Sequence, residues 1–320
     1  MTAPGVSILI PTHNRGPILD RTLDSLVQVR RPPGVDVEIV VVANACTDDT
    51  VARVAARAGS MPIPMRCVVE PIAGLGAARN ACVRASSLPI CALLDDDVWV
   101  GPDWLEALVN IYATTPADMV AGRAELWWEA VERPRWLTPL LEMTLSGLEL
   151  GPTVFEMRTP DAVGANFSFR RSVFDEAGAF RTDLDRVGNQ LLGGGETYFI
   201  REALKRGRRL FYAPDVSVKH WVAPHRVGGD YLAGVTFGSS FSNVIMKERY
   251  GPLDAARSMA IGVARMAAFA PVGAWATLTR NRGRGIIART RRAAGRGQFF
   301  GAITRFRNGP LRPQPIRSAP

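Results

Sequence analysis

The sequence predicts an α/β protein built on a mainly parallel sheet. Short runs of Val and Ile alternate with helical stretches of about ten residues between Val6 and Thr114. Polar residues gather where these runs end, at Thr12 to Arg15, Asn44 to Asp49 and Asp95 to Asp97. In a parallel sheet such ends share one rim, and ligands bind there. The chain of 320 residues, 47% hydrophobic and 22% charged, is long enough for one large or two modest domains of ordinary globular composition.

The elements follow in order. Val6 to Ile10 is the first strand, closed by the turn "PTHNR". "GPILDRTLDSLVQV" is a helix, with Leu19, Leu23 and Leu26 at helical spacing and Pro17 near its start. "VEIVVVANACTDDT" is a second strand running into polar residues, and Thr50 to Ala58 is the next helix. "MRCVVE" is a third strand, and "GLGAARNACVRAS" is a glycine turn opening a helix. "PICALLDDD" is a fourth strand, and "PDWLEALVNIYAT" a fourth helix. Periodicity blurs from Gly122 to Gly164, rich in Trp, Glu and Pro, where helices and a loop over the rim are expected. Order returns in "GANFSFRRSVFDEAG", "GGGETYFIREALKRG" and two short strands, "RLFYAP" and "VSVKHW". There is no internal repeat.

Charge is unevenly divided. All 30 acidic residues lie at or before Asp254, and residues 255 to 320 hold 13 arginines, no lysine and no acid. The preceding 254 residues therefore net −4, from 26 basic minus 30 acidic. Such a tail suits an anionic surface, membrane or nucleic acid. Only Phe299, Phe300 and Phe306 in the last forty residues could stack on bases, so nucleic acid is not the expected partner. Ala255 to Ala270 reads as a helix with Met259, Val263 and Met266 on one face and a basic strip of Arg257 and Arg265. Its apolar stretch extends to Leu278, nominally long enough to span a bilayer. Two central arginines would cost ~2.5–3.5 kcal/mol each in that position, and Pro271 should interrupt the helix. An interfacial helix is therefore expected, against the simpler alternative of a helix packed on the body. Cys46, Cys67, Cys82 and Cys91 form no CxxC pair and read as reduced thiols of a cytosolic protein. The first strand begins directly after "MTAPG", so no signal peptide is expected.

The chemistry starts at Asp95, Asp96 and Asp97. At ~5 Å and an effective dielectric of ~20, each pair of carboxylates repels by roughly 3 kcal/mol. Alternate residues of an extended segment point the same way, so Asp95 and Asp97 differ in role from Asp96. Two aligned carboxylates can hold Mg²⁺ or Mn²⁺, which take the rest of their shell from substrate phosphates. The alternative is a solvated turn, but Asp103 better accounts for the next helix start.

"SILIPTHNR", "EIVVVANACTDDT", "GLGAARNACVRAS" and "LLDDDVWVGPDWLEAL", in this order, resemble the nucleotide-sugar half of family 2 glycosyltransferases. "GANFSFRRSVFDEAGAF", "GGGETYFIREALKRG" and "YAPDVSVKHWV" resemble that family's acceptor half. The resemblance covers about residues 5 to 225. It implies the GT-A fold, a Rossmann-like mainly parallel sheet with an acceptor-binding half, here followed by a basic helical C-terminal extension. The corresponding division is 1–121 for the nucleotide sugar, 122–225 for the acceptor and 226–320 for the extension.

The resemblance further implies an inverting hexosyl transfer from a nucleoside-diphosphate sugar to a hydroxyl of a lipid-linked or surface-glycan acceptor, assisted by Mn²⁺ or Mg²⁺. Asp95, Asp97 and His220 would face the cation, and Asp96 the sugar or ribose. Glu196 would be the general base; its alternative is a favourable first-turn acid. Thr12 and Arg15 would meet the nucleotide, and Gly74, Arg79 and Asn80 the diphosphate. Two departures stand out. Gly195 replaces an acid, and Ala43 stands where the family often contacts the nucleobase, which would pass that contact to Asn44, Asp48 or backbone. His13 would contact nucleotide or cap a helix, and Asn166 would face acceptor or satisfy buried backbone. No QxxRW-type sequence follows, which implies one sugar transferred per encounter. The expected location is the cytoplasmic face of the cell membrane, held peripherally by the basic tail. The competing expectation is a catalytically impaired nucleotide-sugar-binding scaffold.

Overall fold

A computed structural model of the chain describes residues 5–184, 186–187 and 190–311. The first half is β1 (Val6–Thr12), α1 (Gly16–Val27), β2 (Val37–Asn44), α2 (Thr50–Ala58), β3 (Met65–Glu70), α3 (Leu75–Ala85) and β4 (Ile90–Leu94). These four strands pair in parallel in the order β3-β2-β1-β4. Every residue of β1, β2 and β4 is buried. Helices cover both faces of such a sheet, which is why these strands read as continuous apolar runs without alternation. The winding reverses between β1 and β4, and the crevice at that switch is where a ligand fits.

The chain continues through β5 (Val98–Val100), α4 (Trp104–Thr114), β6 (Met119–Trp127), α5 (Pro139–Glu142), β7 (Phe155–Met157), β8 (Asn166–Arg170), α6 (Arg171–Ala177), β9 (Arg186–Val187), β10 (Gln190–Leu191), α7 (Gly195–Lys205) and β11 (Leu210–Trp221). The sheet extends as β4-β8-β6-β11-β5, while β9 and β10 pair separately. β8 is antiparallel to both β4 and β6, and β5 and β7 are antiparallel to β11; only β6 and β11 run parallel. The parallel expectation thus holds for β1 to β4 and gives way to a mixed sheet beyond them.

Two short strands expected near the end of this region are one strand. β11 runs for 12 residues and absorbs Pro214 and Asp215 in a register shift between Ala213 and Ser217. A bulge lets proline sit in a strand without a ladder donor. β5, which has no sequence signal beyond three residues, reveals the curvature. It lies four places from β4 in the sheet order, about 19 Å across a flat sheet at ~4.8 Å per strand. The linking residues Asp95, Asp96 and Asp97 reach at most ~14 Å. The sheet therefore curls, and the second half of β11 closes over the carboxyl end of β4.

α8 (Gly229–Ile245), α9 (Pro252–Leu278) and α10 (Arg282–Asn308) complete the chain. α10 packs against both others through glycines. A methyl on Gly262 would come within 2.6 Å of the Gly295 carbonyl oxygen, and one on Gly295 equally close to that of Gly262. Gly297 and Gly301 meet the Phe237 and Phe241 carbonyls of α8 in the same way. Such small-residue contacts bring helix backbones together. Pro271 does not interrupt α9, contrary to expectation. A proline removes one intrahelical bond, here to the Ala267 carbonyl, and contacts of Gly273 with Ala288 and of Gly285 with Ala276 hold α9 to α10 on its far side. Arg312 and Arg317 of the basic tail lie outside the described residues.

Candidate active site

The loops after β1, β2 and β4 meet at the switch point. Asn14 and Ala45 take positive φ, 50° and 46°, and sharpen the first two turns. Asn14 Oδ1 accepts from the Thr47 amide at 2.7 Å, and His13 Nδ1 donates to the Asn44 carbonyl at 2.6 Å. His13 therefore ties β1 to β2; α1 has no side-chain cap. Asn44, 5% exposed, donates to the carbonyls of Glu70 at 3.2 Å and Ile72 at 2.7 Å and accepts from the Gly74 amide at 2.8 Å. Its whole amide holds the turn into α3, where Gly74 has a φ of 142° that favours glycine. Asp48 is exposed and accepts from the Thr50 hydroxyl at 2.6 Å and amide at 3.2 Å, bonds that hold its carboxyl below the usual range.

The aspartates are fixed from several elements. Thr22 of α1 places its hydroxyl 2.8 Å from the Asp96 carbonyl and 2.9 Å from that of Val98. The Trp221 amide at the end of β11 donates to the Asp97 carbonyl at 2.9 Å. Asp96 accepts from Thr12 Oγ1 at 2.6 Å and from Arg15 Nη1 at 2.6 Å, so both its oxygens are engaged. Burial pushes its carboxyl up to about 6, and Asp97 and Asp95 add to this against Arg15 and Thr12.

Asp97, 3% exposed, lies among cations. Its Oδ2 accepts from Arg15 at 2.8 Å and Arg226 at 2.9 Å. His220 Nε2 is 3.0 Å from its Oδ1 and 3.2 Å from Arg226 Nη1. Burial alone would raise this carboxyl, but His220, Arg226 and Arg15 together hold it well below the usual range. Its Oδ1 is nevertheless buried without a hydrogen-bond partner. Asp95, Asp97 and His220 each bring a ligand atom within 4.8 Å of the others. Two carboxylates, one with an orphaned oxygen, and an imidazole are a donor set that fits a divalent cation.

Arg79 connects this cluster to Glu196. Only 3% exposed, it reaches Glu196 Oε1 at 2.8 Å with one nitrogen and Asp95 Oδ1 at 3.7 Å with the other. Glu196 sits in the first turn of α7, after Gly194 with a φ of 120°. Gly164 makes the meeting possible, because a methyl there would lie 2.8 Å from Glu196 Oε1 and would strike the Arg79 guanidinium. Beyond Glu196 opens a cavity of about 740 Å³ between α7, α8 and α10.

Two expected residues hold backbone. Asn80 exchanges hydrogen bonds of 2.9 Å with the amide and carbonyl of Phe180. Asn166 accepts from Trp104 Nε1 at 3.1 Å and donates to the carbonyls of Arg123 at 2.8 Å and Val216 at 2.7 Å, satisfying the β11 bulge. Sequence reasoning missed Arg226 and Gly164. Arg226 follows His220 by six residues with no motif around it. Gly164 opens the quoted "GANFSF" and could have been found there by asking why a glycine precedes a buried strand.

Comparison with known proteins places this geometry. The family model described as glycosyl transferase family 2 matches residues 7–178. A glucosyl-dolichyl phosphate glucuronosyltransferase of Haloferax volcanii is 27% identical over 179 residues, 55% of this chain and 57% of that protein. The glycosyltransferase AglE of the same organism is 27% identical over 237 residues, 72% of this chain and 70% of that protein. The first relative thus extends well beyond the part that this chain spans. Among solved structures, a mannosyltransferase of Pyrobaculum calidifontis in complex with GDP-mannose and Mn²⁺ superposes with a TM-score of 0.62 at 22% identity, over 94% of this chain and 86% of that one. The fold is that of the GT-A glycosyltransferases.

Proposed function

The chain belongs to glycosyl transferase family 2, and on that premise we propose that it moves one sugar per encounter, with inversion, from a nucleoside-diphosphate sugar to a hydroxyl of a lipid-linked or surface-glycan acceptor. The observation that carries this is the Asp95, Asp97 and His220 cluster at the switch point, joined through Arg79 to Glu196. The archaeal mannosyltransferase of the same fold holds a nucleotide sugar and Mn²⁺, which supports both ligands here. The curated relative that acts on a dolichyl phosphate glycan supports a lipid-linked acceptor.

In this reading Asp95, Asp97 and His220 hold Mn²⁺ or Mg²⁺. When bound, the cation neutralises charge developing on the leaving diphosphate. Arg15 and Arg226, which rest on Asp97 without a donor, turn their forked guanidinium groups to the phosphate oxygens. Asp96 keeps Thr12 and Arg15 in place and reaches the sugar only if those bonds yield. Asn44, Asp48 and Gly74 shape the nucleotide's loops. Glu196, on the far side of Arg79, takes the proton of the attacking hydroxyl. Arg79 aims that carboxylate, which it meets at 2.8 Å. Residues 1–121 serve the donor, 122–225 the acceptor, and 226–320 dock the enzyme peripherally on the cytoplasmic membrane face.

The test is nucleoside diphosphate release from a panel of nucleotide sugars with Mn²⁺. Glu196→Gln should lower kcat by about 10²–10⁴-fold with donor affinity unchanged. Wild-type turnover in that variant would remove Glu196 from the chemistry. Donor binding without turnover in the native chain would favour the scaffold reading.

A further inference from the structure

The cavity beyond Glu196 contains cationic groups that donor chemistry does not use. Arg201 of α7, Arg265 of α9 and Arg291 of α10 line it. Among the described residues, no side chain of the three has an ion pair with a carboxylate or a hydrogen bond. The carboxylates that share the cavity are Asp161 and Glu196, and Glu196 is already paired with Arg79. Arg265 and Arg291 stand at similar heights along the two helices that line the cavity. α9 and α10 form a hairpin that crosses at Gly262 and Gly295. From that crossing Arg265 lies three residues toward the turn and Arg291 four, heights of ~4.5 and ~6 Å at 1.5 Å per residue.

Two more features point to a ligand. Ser242 of α8 is 1% exposed, lines the same cavity, and its hydroxyl has no hydrogen-bond partner. A buried hydroxyl without a partner is uncommon unless a bound group supplies one. The cavity is also amphipathic. Ile287 shares the Arg291 face of α10, and Leu140 and Met143 stand at its wall, 54% and 50% exposed. A volume of about 740 Å³ suits a ligand with a polar head and an apolar stem.

We propose that the C-terminal helices complete the acceptor site. In that site Arg265 and Arg291, with Arg201 and Ser242, hold the phosphate of an isoprenoid-phosphate-linked saccharide whose sugar hydroxyl reaches Glu196. This rests on reading the Glu196 side as the acceptor side. It adds that the acceptor is anionic and that the basic extension recognises it directly. The shared chemistry is a phosphate ester, and the apolar wall selects the lipid source over a soluble phosphosaccharide. α10 is thereby a specificity element, which explains an arginine-rich helix held in place by glycines.

The test is calorimetric binding to the full chain, in EDTA and without donor, so that failure of sugar transfer would leave its result unaffected. The probes are farnesyl phosphate, farnesol and glucose 1-phosphate. Farnesyl phosphate should bind, with farnesol at least tenfold weaker. Arg265→Gln/Arg291→Gln should weaken farnesyl phosphate at least tenfold at unchanged Tm. Arg265→Lys/Arg291→Lys should restore most of the affinity, and excess nucleoside diphosphate should leave it unchanged. No binding by the native chain, or undiminished binding by the glutamine pair, would overturn the site. Displacement of farnesyl phosphate by a nucleoside diphosphate instead would place the anion in the donor pocket and also overturn it. Equal affinity for glucose 1-phosphate would overturn the lipid source.

Discussion

At Asp97 two guanidinium groups and an imidazole converge on one buried carboxylate, yet one of its oxygens is left without a hydrogen bond. A buried charge persists only when paired, and here the pairing leaves one oxygen open toward Asp95 and His220. Glu38, away from the rim, shows the same logic used for stability alone. It stands buried in β2 and accepts from Ser7, the Ser87 amide and Arg66, each at 2.6 Å. Burial raises its carboxyl, but these bonds outweigh that and lower it to about 2 from 4.5. A depressed carboxyl stabilises the fold fully above its unfolded value, and that contribution is lost as pH falls through the folded value. Glu38→Gln should therefore cost on the order of 2–3 kcal/mol at pH 7, read by urea unfolding. The gap from the native chain should narrow below about pH 4.5 and close near pH 2. Equal stability at pH 7 would contradict this account of Glu38. No sequence signal marks that residue, because its partners come from β1, β3 and the loop before β4.

The helices and strands divide by how local their causes are. β1 to β4 and α1 to α4 are legible from spacing because each carries its own apolar period and turn residues. β5 is too short for a period, and β11 reads as two strands because Pro214 looks like a break until its bulge is paired by Asn166. α10 was legible as a basic, low-complexity helical tail, but its packing was not. Glycine lowers helix propensity, so this helix depends on tertiary contacts with α8 and α9. Its burial shifts the membrane question to α9, whose Leu253, Ile261, Val263, Trp275 and Leu278 are 86, 39, 49, 45 and 84% exposed. α9 is apolar and long enough to cross a bilayer by length and composition alone. A helix fastened along α10 with arginines beside it suits the interface better. Val263→Ser/Trp275→Ser/Leu278→Ser should reduce sedimentation with anionic vesicles at least tenfold, and salt should weaken the native interaction. Unchanged sedimentation of the triple variant would contradict an α9 seat.

Across the whole molecule, the curl of the sheet makes the site. It brings His220 and Arg226, more than one hundred residues downstream, onto the carboxylate at the end of β4. The rim itself was legible in the sequence, because polar residues close each parallel strand. The roles within it were less so. Asn44, Asn80 and Asn166 look like ligand contacts in one dimension, and in three dimensions their amides hold backbone. Arg226 and Gly164 act through neighbours that only the fold supplies. On the proposed function, Asp95, Asp97 and His220 form a cation site completed by a nucleoside diphosphate. Electron paramagnetic resonance of Mn²⁺ tests it most directly, since bound Mn²⁺ loses its free-ion signal. In the presence of a nucleoside diphosphate the native chain should bind Mn²⁺ one to one, and Asp97→Asn, which keeps the side-chain shape, should weaken binding at least tenfold. Equal Mn²⁺ affinity in the native chain, Asp97→Asn and His220→Gln would contradict it.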